Sequence, residues 1–96
     1  MATSLSCTGL VWRHSGEQGW HFLTVTGAAA DDIRARGTTS SFGSVRVRVE
    51  LGASRWATSV FPEAAGATYV LPLKAEIRRR EGLEDGDVIT VRLLLD

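Results

Sequence analysis

Val45-Arg46-Val47-Arg48-Val49-Glu50-Leu51 sets an aliphatic side chain at every second position and a charged one between each pair. That period of two marks a β-strand with one buried and one wet face, as in an antiparallel sheet over a one-sided core. Gly52-Ala53 then reads as a tight turn into Ser54 through Phe61. With a two-residue loop, Leu51 faces Ser54, Val49 faces Trp56, Val47 faces Thr58 and Val45 faces Val60. Trp56, Thr58 and Val60 then point inward, and Arg55 and Ser59 lie outside beside Glu50 and Arg46. One further loop residue would invert the assignment.

Upstream, Leu5, Cys7 and Val11 alternate against Leu10, Trp12 and His14, and Ser15-Gly16-Glu17-Gln18-Gly19 is a turn cluster. Trp20 to Val25 is a second strand, rich in aromatic and β-branched residues. Ala28 to Arg36 reads as a short helix, with Asp31 and Asp32 early, Arg34 and Arg36 late, and Gly37 as its stop. Thr38 to Ser41 is a polar loop with neither helix nor strand signal. Downstream, Thr68-Tyr69-Val70-Leu71 is a strand that Pro72 ends while suiting the first turn of a helix. Leu73 and Ile77 share one helical face, Arg78, Arg79 and Arg80 fill the last turn, and Gly82 stops it with Leu83 in contact. Glu84-Asp85-Gly86-Asp87 turns the chain into a last strand, Val88 to Leu95. Alternation fades at Leu93-Leu94-Leu95, so cover on both faces is expected there. Strand, short helix with an Ile-Arg pair, then glycine occurs twice, at Trp20 to Gly37 and Tyr69 to Gly82, a faint internal repeat.

Ninety-six residues leave room for one domain, residues 1–96, in which roughly 60–65% of the unfolded chain's surface is buried. Hydrophobic residues at 44% and charged residues at 23% are an ordinary globular composition and argue against a disordered tail. Eleven basic residues balance eleven acidic ones, so no global field draws the chain to nucleic acid or an anionic membrane. Cys7 alone forms no internal disulfide. No apolar run reaches a membrane span, and Met1-Ala2-Thr3-Ser4 is not the start of a signal peptide, so a cytoplasmic protein is expected.

Tyr69-Val70-Leu71-Pro72-Leu73-Lys74-Ala75-Glu76-Ile77-Arg78, followed by Gly82-Leu83-Glu84-Asp85-Gly86-Asp87-Val88, resembles the hairpin motif of AbrB-like swapped-hairpin barrels. Over nearly the whole chain, the sequence resembles a bacterial family of unknown function numbered 1905. The likeness rests on Trp20-His21-Phe22, Phe42-Gly43-Ser44-Val45-Arg46-Val47, Trp56-Ala57-Thr58-Ser59-Val60-Phe61-Pro62, Leu71-Pro72-Leu73-Lys74, Ile77-Arg78 and Gly86-Asp87. The resemblance implies a double-split β-barrel related to the AbrB-like fold and supplies no function. This chain departs from the family pattern at Thr26-Gly27-Ala28, where a proline often stands. Thr38-Thr39-Ser40-Ser41 also lacks a basic residue, which argues against an anion-binding role for that loop.

The chemistry-bearing side chains fall into three groups. Arg46 and Arg48, with Arg55 across the turn, form an outward basic stripe suited to phosphate or carboxylate; the plainer alternative is a solvated face on which Glu50 pairs with Arg55. Lys74, Arg78 and Arg79, with Arg80 beside them, cluster on one short helix and suit phosphate contact. They also complement the helix end, and Glu76, Glu81, Glu84, Asp85 and Asp87 cancel their charge. Thr58 and Ser59 beside Trp56 suit a pocket walled by Trp12, Trp20 and Tyr69, or else those rings fill the core. Ser59 lies in no nucleophile elbow, and neither His14 nor His21 is near it. Cys7 at an alternating strand position reads as packing. With Glu17 as their only nearby carboxylate, the histidines lack metal-ligand spacing, and no glycine-rich phosphate loop is present.

The expected fold is all-β, a small double-split barrel of about six strands with two short helices. The expected function is a non-enzymatic module binding a protein or small anionic ligand through Arg46, Arg48, Lys74 and Arg78, with no cofactor, metal or membrane. A dimeric, AbrB-like nucleic-acid binder is the alternative, disfavoured by zero net charge; a pocket or enzyme at Trp20, Trp56, Thr58 and Ser59 is a third. Monomer and homodimer both remain open, since barrel edges invite pairing and two half-repeats suit a self-sufficient chain.

Overall fold

The computed structural model describes residues 3–16, 19–37, 39–40 and 42–95. Among them, six antiparallel strands close into a barrel: β1 (Thr3–Arg13), β2 (His21–Val25), β3 (Val45–Leu51), β4 (Ser54–Glu63), β5 (Thr68–Pro72) and β6 (Val88–Leu95). Their order around the wall is β1-β2-β5-β4-β3-β6 and back to β1. Helix α1 (Gly27–Arg36) joins β2 to β3, and α2 (Ala75–Glu81) joins β5 to β6. The expected all-β barrel forms, its wall closed by pairing of β1 with both β2 and β6.

Both long strands divide their pairing. Residues 3–10 of β1 pair with β6 and residues 11–13 with β2. In the same way, residues 54–60 of β4 pair with β3 and residues 61–63 with β5. The barrel is thus split twice. Exchanging β1-β2-α1-β3 for β4-β5-α2-β6 merely reverses the order around the wall, so the faint repeat has a structural counterpart.

The β3–β4 hairpin has the two-residue turn, with Val45 opposite Val60, Val47 opposite Thr58, Val49 opposite Trp56 and Leu51 opposite Ser54. One alternation per strand then fills the interior: Leu5, Cys7 and Val11 from β1, Leu23 and Val25 from β2, Tyr69 and Leu71 from β5. Each large aliphatic side chain buried this way stabilises by about 1.5–3 kcal/mol. Ala30 and Ile33 of α1 are buried over one mouth of the barrel. Leu73, Ile77 and the half-buried Leu83 cover the other, where the β3–β4 turn lies.

Helix α2 ends on Gly82 in the left-handed region (φ 66, ψ 38), and the Leu83 amide donates to the Arg78 carbonyl at 2.9 Å. That is the glycine stop expected from sequence. Several other expectations need correction. Pro72 closes β5 instead of opening the helix, which begins at Ala75, so Leu73 packs from an extended segment. Gly37 ends α1 in extended geometry (φ −74, ψ 146), not as a left-handed cap. Asp31 and Asp32 lie beyond the first turn of α1 and pair with Arg34 and Arg36 at 2.6 and 3.6 Å, so their partners are side chains and not the helix dipole. β6 is one-sided after all: Ile89, Val91, Leu93 and Leu95 are buried, Val88 is exposed, and Leu94 sits half-covered on the outer face. The turn residues Glu17 and Gln18 and the loop residues Thr38 and Ser41 lie outside the described residues. No helix among the described residues is long and apolar enough to cross a membrane.

Candidate functional site

On the outer wall of β6, β3 and β4, cross-strand register assembles two rows of side chains. Arg48 stands opposite Leu94 on one side and Ala57 on the other. One pleat further along, Glu50 stands opposite Arg92 and Arg55. Around these rows opens a shallow hollow of about 390 Å³, lined by Arg48, Glu50, Arg55, Ala57 and Leu94, with Val49 and Trp56. Arg46 lies beyond Arg48 along β3, outward and opposite Ser59.

Glu50 is held from both sides: Arg55 Nε lies 3.7 Å from Oε2 and Arg92 Nη1 lies 3.7 Å from Oε1. Arg92 also donates through Nε to Ser4 Oγ at 2.7 Å. A tight charge-assisted bond measures about 2.7–2.9 Å, so both pairs are loose. Arg55 is 82% exposed and Glu50 31%, which places the carboxylate low and the guanidinium free to move. The pairing of Glu50 with Arg55 expected on a solvated face therefore occurs, within a basic surround.

The other expected site residues stand elsewhere. Lys74 and Arg78 belong to the end-covering segment: Lys74 precedes α2 and is exposed, and Arg78 Nε donates to the Leu73 carbonyl at 3.2 Å. Arg80 pairs with Glu76 at 2.8 Å. The four basic groups of the expected site thus divide between wall and end. Thr58 faces inward and Ser59 outward, so their hydroxyls do not converge beside Trp56. Trp56 packs half-buried against the core, its Nε1 buried without a hydrogen-bond partner.

The aromatic-walled pocket does not form. Tyr69 is interior, whereas Trp12 and Phe22 meet on the outside of β1 and β2 at a centroid distance of 5.1 Å. Trp20, 57% exposed, lies 6.4 Å from Phe22 with its ring nearly parallel, and Trp12 Nε1 donates to Thr24 Oγ1 at 2.8 Å. These rings therefore neither fill the core nor wall a cavity with Trp56. Among the described residues no group of histidine, cysteine and carboxylate side chains is placed to hold a metal. His21 Nδ1 is engaged with the Gly19 carbonyl at 2.7 Å. Burial raises the pKa of the Cys7 thiol, and the Thr26 backbone opposes that in part.

A family model described as a domain of unknown function, DUF1905, matches residues 8–93. The chain belongs to the DUF1905 family. No curated protein matches it. In this DUF1905 barrel the matched span contains both rows of the outer-wall hollow except Leu94, one residue past its end. Arg92, Leu94 and Ala57 are the members that sequence reasoning missed. For the first two the signal was the outward series Val88, Thr90, Arg92, Leu94, masked by the apolar character of its first and last members.

Proposed function

We propose that this DUF1905 barrel is a binding module for a small anionic ligand, taken on the outer wall by Arg48 and Arg55 with Arg46 alongside. The observation that carries this reading is the loosely paired Arg92–Glu50–Arg55 row at the edge of the 390 Å³ hollow. Exposed ion pairs contribute only about 0–1 kcal/mol, so little stability is lost when a guanidinium turns to a second anion. Arginine suits that role because its planar fork meets a carboxylate or phosphate with two parallel bonds. Glu50 competes with the ligand for the same donors and tempers the affinity.

Thermal shift at low salt with citrate, pyrophosphate and nucleotides tests the reading, since a ligand at 100 times its Kd adds about 2.7 kcal/mol. The Arg48→Ala/Arg55→Ala double variant should lose the shift. Glu50→Gln should enlarge it, because the competing charge is gone; a purely structural ion pair would give no such gain. No shift with any of these anions, nor with a simple monocarboxylate, overturns the reading.

A further inference from the structure

Charge alone does not describe the hollow. Leu94 and Ala57 flank Arg48 one strand to either side, roughly 10 Å apart at the usual strand spacing. Arg48 stands between them in register and lines the hollow, and an arginine stem is apolar up to its charged head. This row is apolar along the wall, and the next row is charged. Leu94 is outward yet only half exposed, an apolar side chain that follows Arg92 on the outer face of β6 and stands opposite Arg48 of β3.

Resting on the anion-binding reading above, we infer that the hollow takes an organic acid with an unbranched apolar tail. Its carboxylate lies on the guanidinium groups of Arg48 and Arg55, and its tail lies across Leu94 and Ala57. A guanidinium carries five donors, so Arg48 can engage this carboxylate while keeping another partner. The Glu50 carboxylate beside the head group disfavours a second negative charge, and an inorganic dianion gains nothing from the apolar row. A monoanionic head with a tail uses both rows.

The experiment is isothermal titration of the full chain with butanoate, hexanoate and octanoate, and with citrate and pyrophosphate for comparison. A fully buried methylene strengthens binding by about fourfold. In this open hollow we expect about a twofold to fourfold gain per methylene, levelling once the tail spans the row. Leu94→Ser should flatten the series and leave citrate or pyrophosphate binding unchanged. Ala57→Ser should flatten it less, and serves if the first variant loses its fold. Equal affinity along the series, with citrate or pyrophosphate still bound, overturns this inference and leaves the anion site standing. A chain-length gain that neither variant alters places the tail elsewhere and also overturns it. Absence of binding by every anion removes both readings together.

Discussion

Ser54 donates its hydroxyl to Glu81 Oε2 at 2.6 Å, tying the first residue of β4 to the last residue of α2. Among the described residues Ser54 is the buried polar side chain, 1% exposed. The same carboxylate fills the space beside Gly52 in the β3–β4 turn, whose φ of +57 already favours glycine. The helix is thereby fastened under the hairpin that carries Arg48, Glu50 and Arg55. Removing the hydroxyl leaves the carboxylate without its donor, so Ser54→Ala should cost about 1.5–3 kcal/mol. Urea unfolding should show a lower midpoint at an unchanged m-value. A loss under about 0.5 kcal/mol would mean that water replaces the hydroxyl.

Gly37 is required for space. Its φ of −74 suits any residue, but a Cβ there would lie 2.5 Å from Val45 Cγ1 and 2.7 Å from the Ile33 carbonyl oxygen. Gly37→Ala should therefore destabilise by about 1–3 kcal/mol through overpacking. Val45→Ala relieves the side-chain contact, so the two substitutions together should cost less than their sum. Denaturation of both single variants and the double variant measures that coupling.

These two contacts mark where the sequence stops being legible. The 45–60 hairpin was readable because its alternation is unbroken and its turn has two residues, which fixed the outward places of Arg46, Arg48 and Arg55. The link between Ser54 and Glu81 spans 27 positions and exists because α2 covers the barrel end holding the turn, a consequence of strand order. Arg92 and Leu94 joined the candidate site for the same reason: only the pairing of β3 with β6 brings them beside Glu50 and Arg48. The outer aromatic rings misled because tryptophan content suggests core, whereas Trp20 enters β2 from a turn on the outer side. Gly37 showed that a glycine after a helix can answer to a neighbouring side chain instead of a left-handed cap.

Ala64 and Ala65 both take positive φ, 50 and 57, ahead of Gly66 at 88. The turn is anchored by Arg34, which donates through Nη1 to the Gly66 carbonyl at 2.6 Å and through Nη2 to Asp31 Oδ1 at 2.6 Å. A left-handed L-residue costs about 1–2 kcal/mol, part of which glycine returns through the greater entropy of its unfolded chain. Ala65→Gly should therefore raise stability by up to about 1 kcal/mol and increase Tm, an unusual direction for a glycine substitution. A lower Tm would show that the Arg34 anchor does not fix the backbone there.

Cys7 supplies a pH-dependent test of the core. Burial raises its thiol above the ordinary value of about 9.0, since the thiolate would have to shed its water inside the barrel. Unfolding at alkaline pH therefore releases a proton that the folded state retains. The stabilisation is fully present below pH 9.0 and falls away as pH rises through that value toward the folded pKa. Cys7→Ala, measured by denaturation from pH 8 to pH 10.5, should show a shallower loss of stability than the parent chain. The thiol should also react slowly with a disulfide reagent at pH 8 in the native state and quickly in denaturant, because the nucleophile is the thiolate. Equal rates in the two states would mean that Cys7 is reached without unfolding, and that the interior position of β1 is not closed.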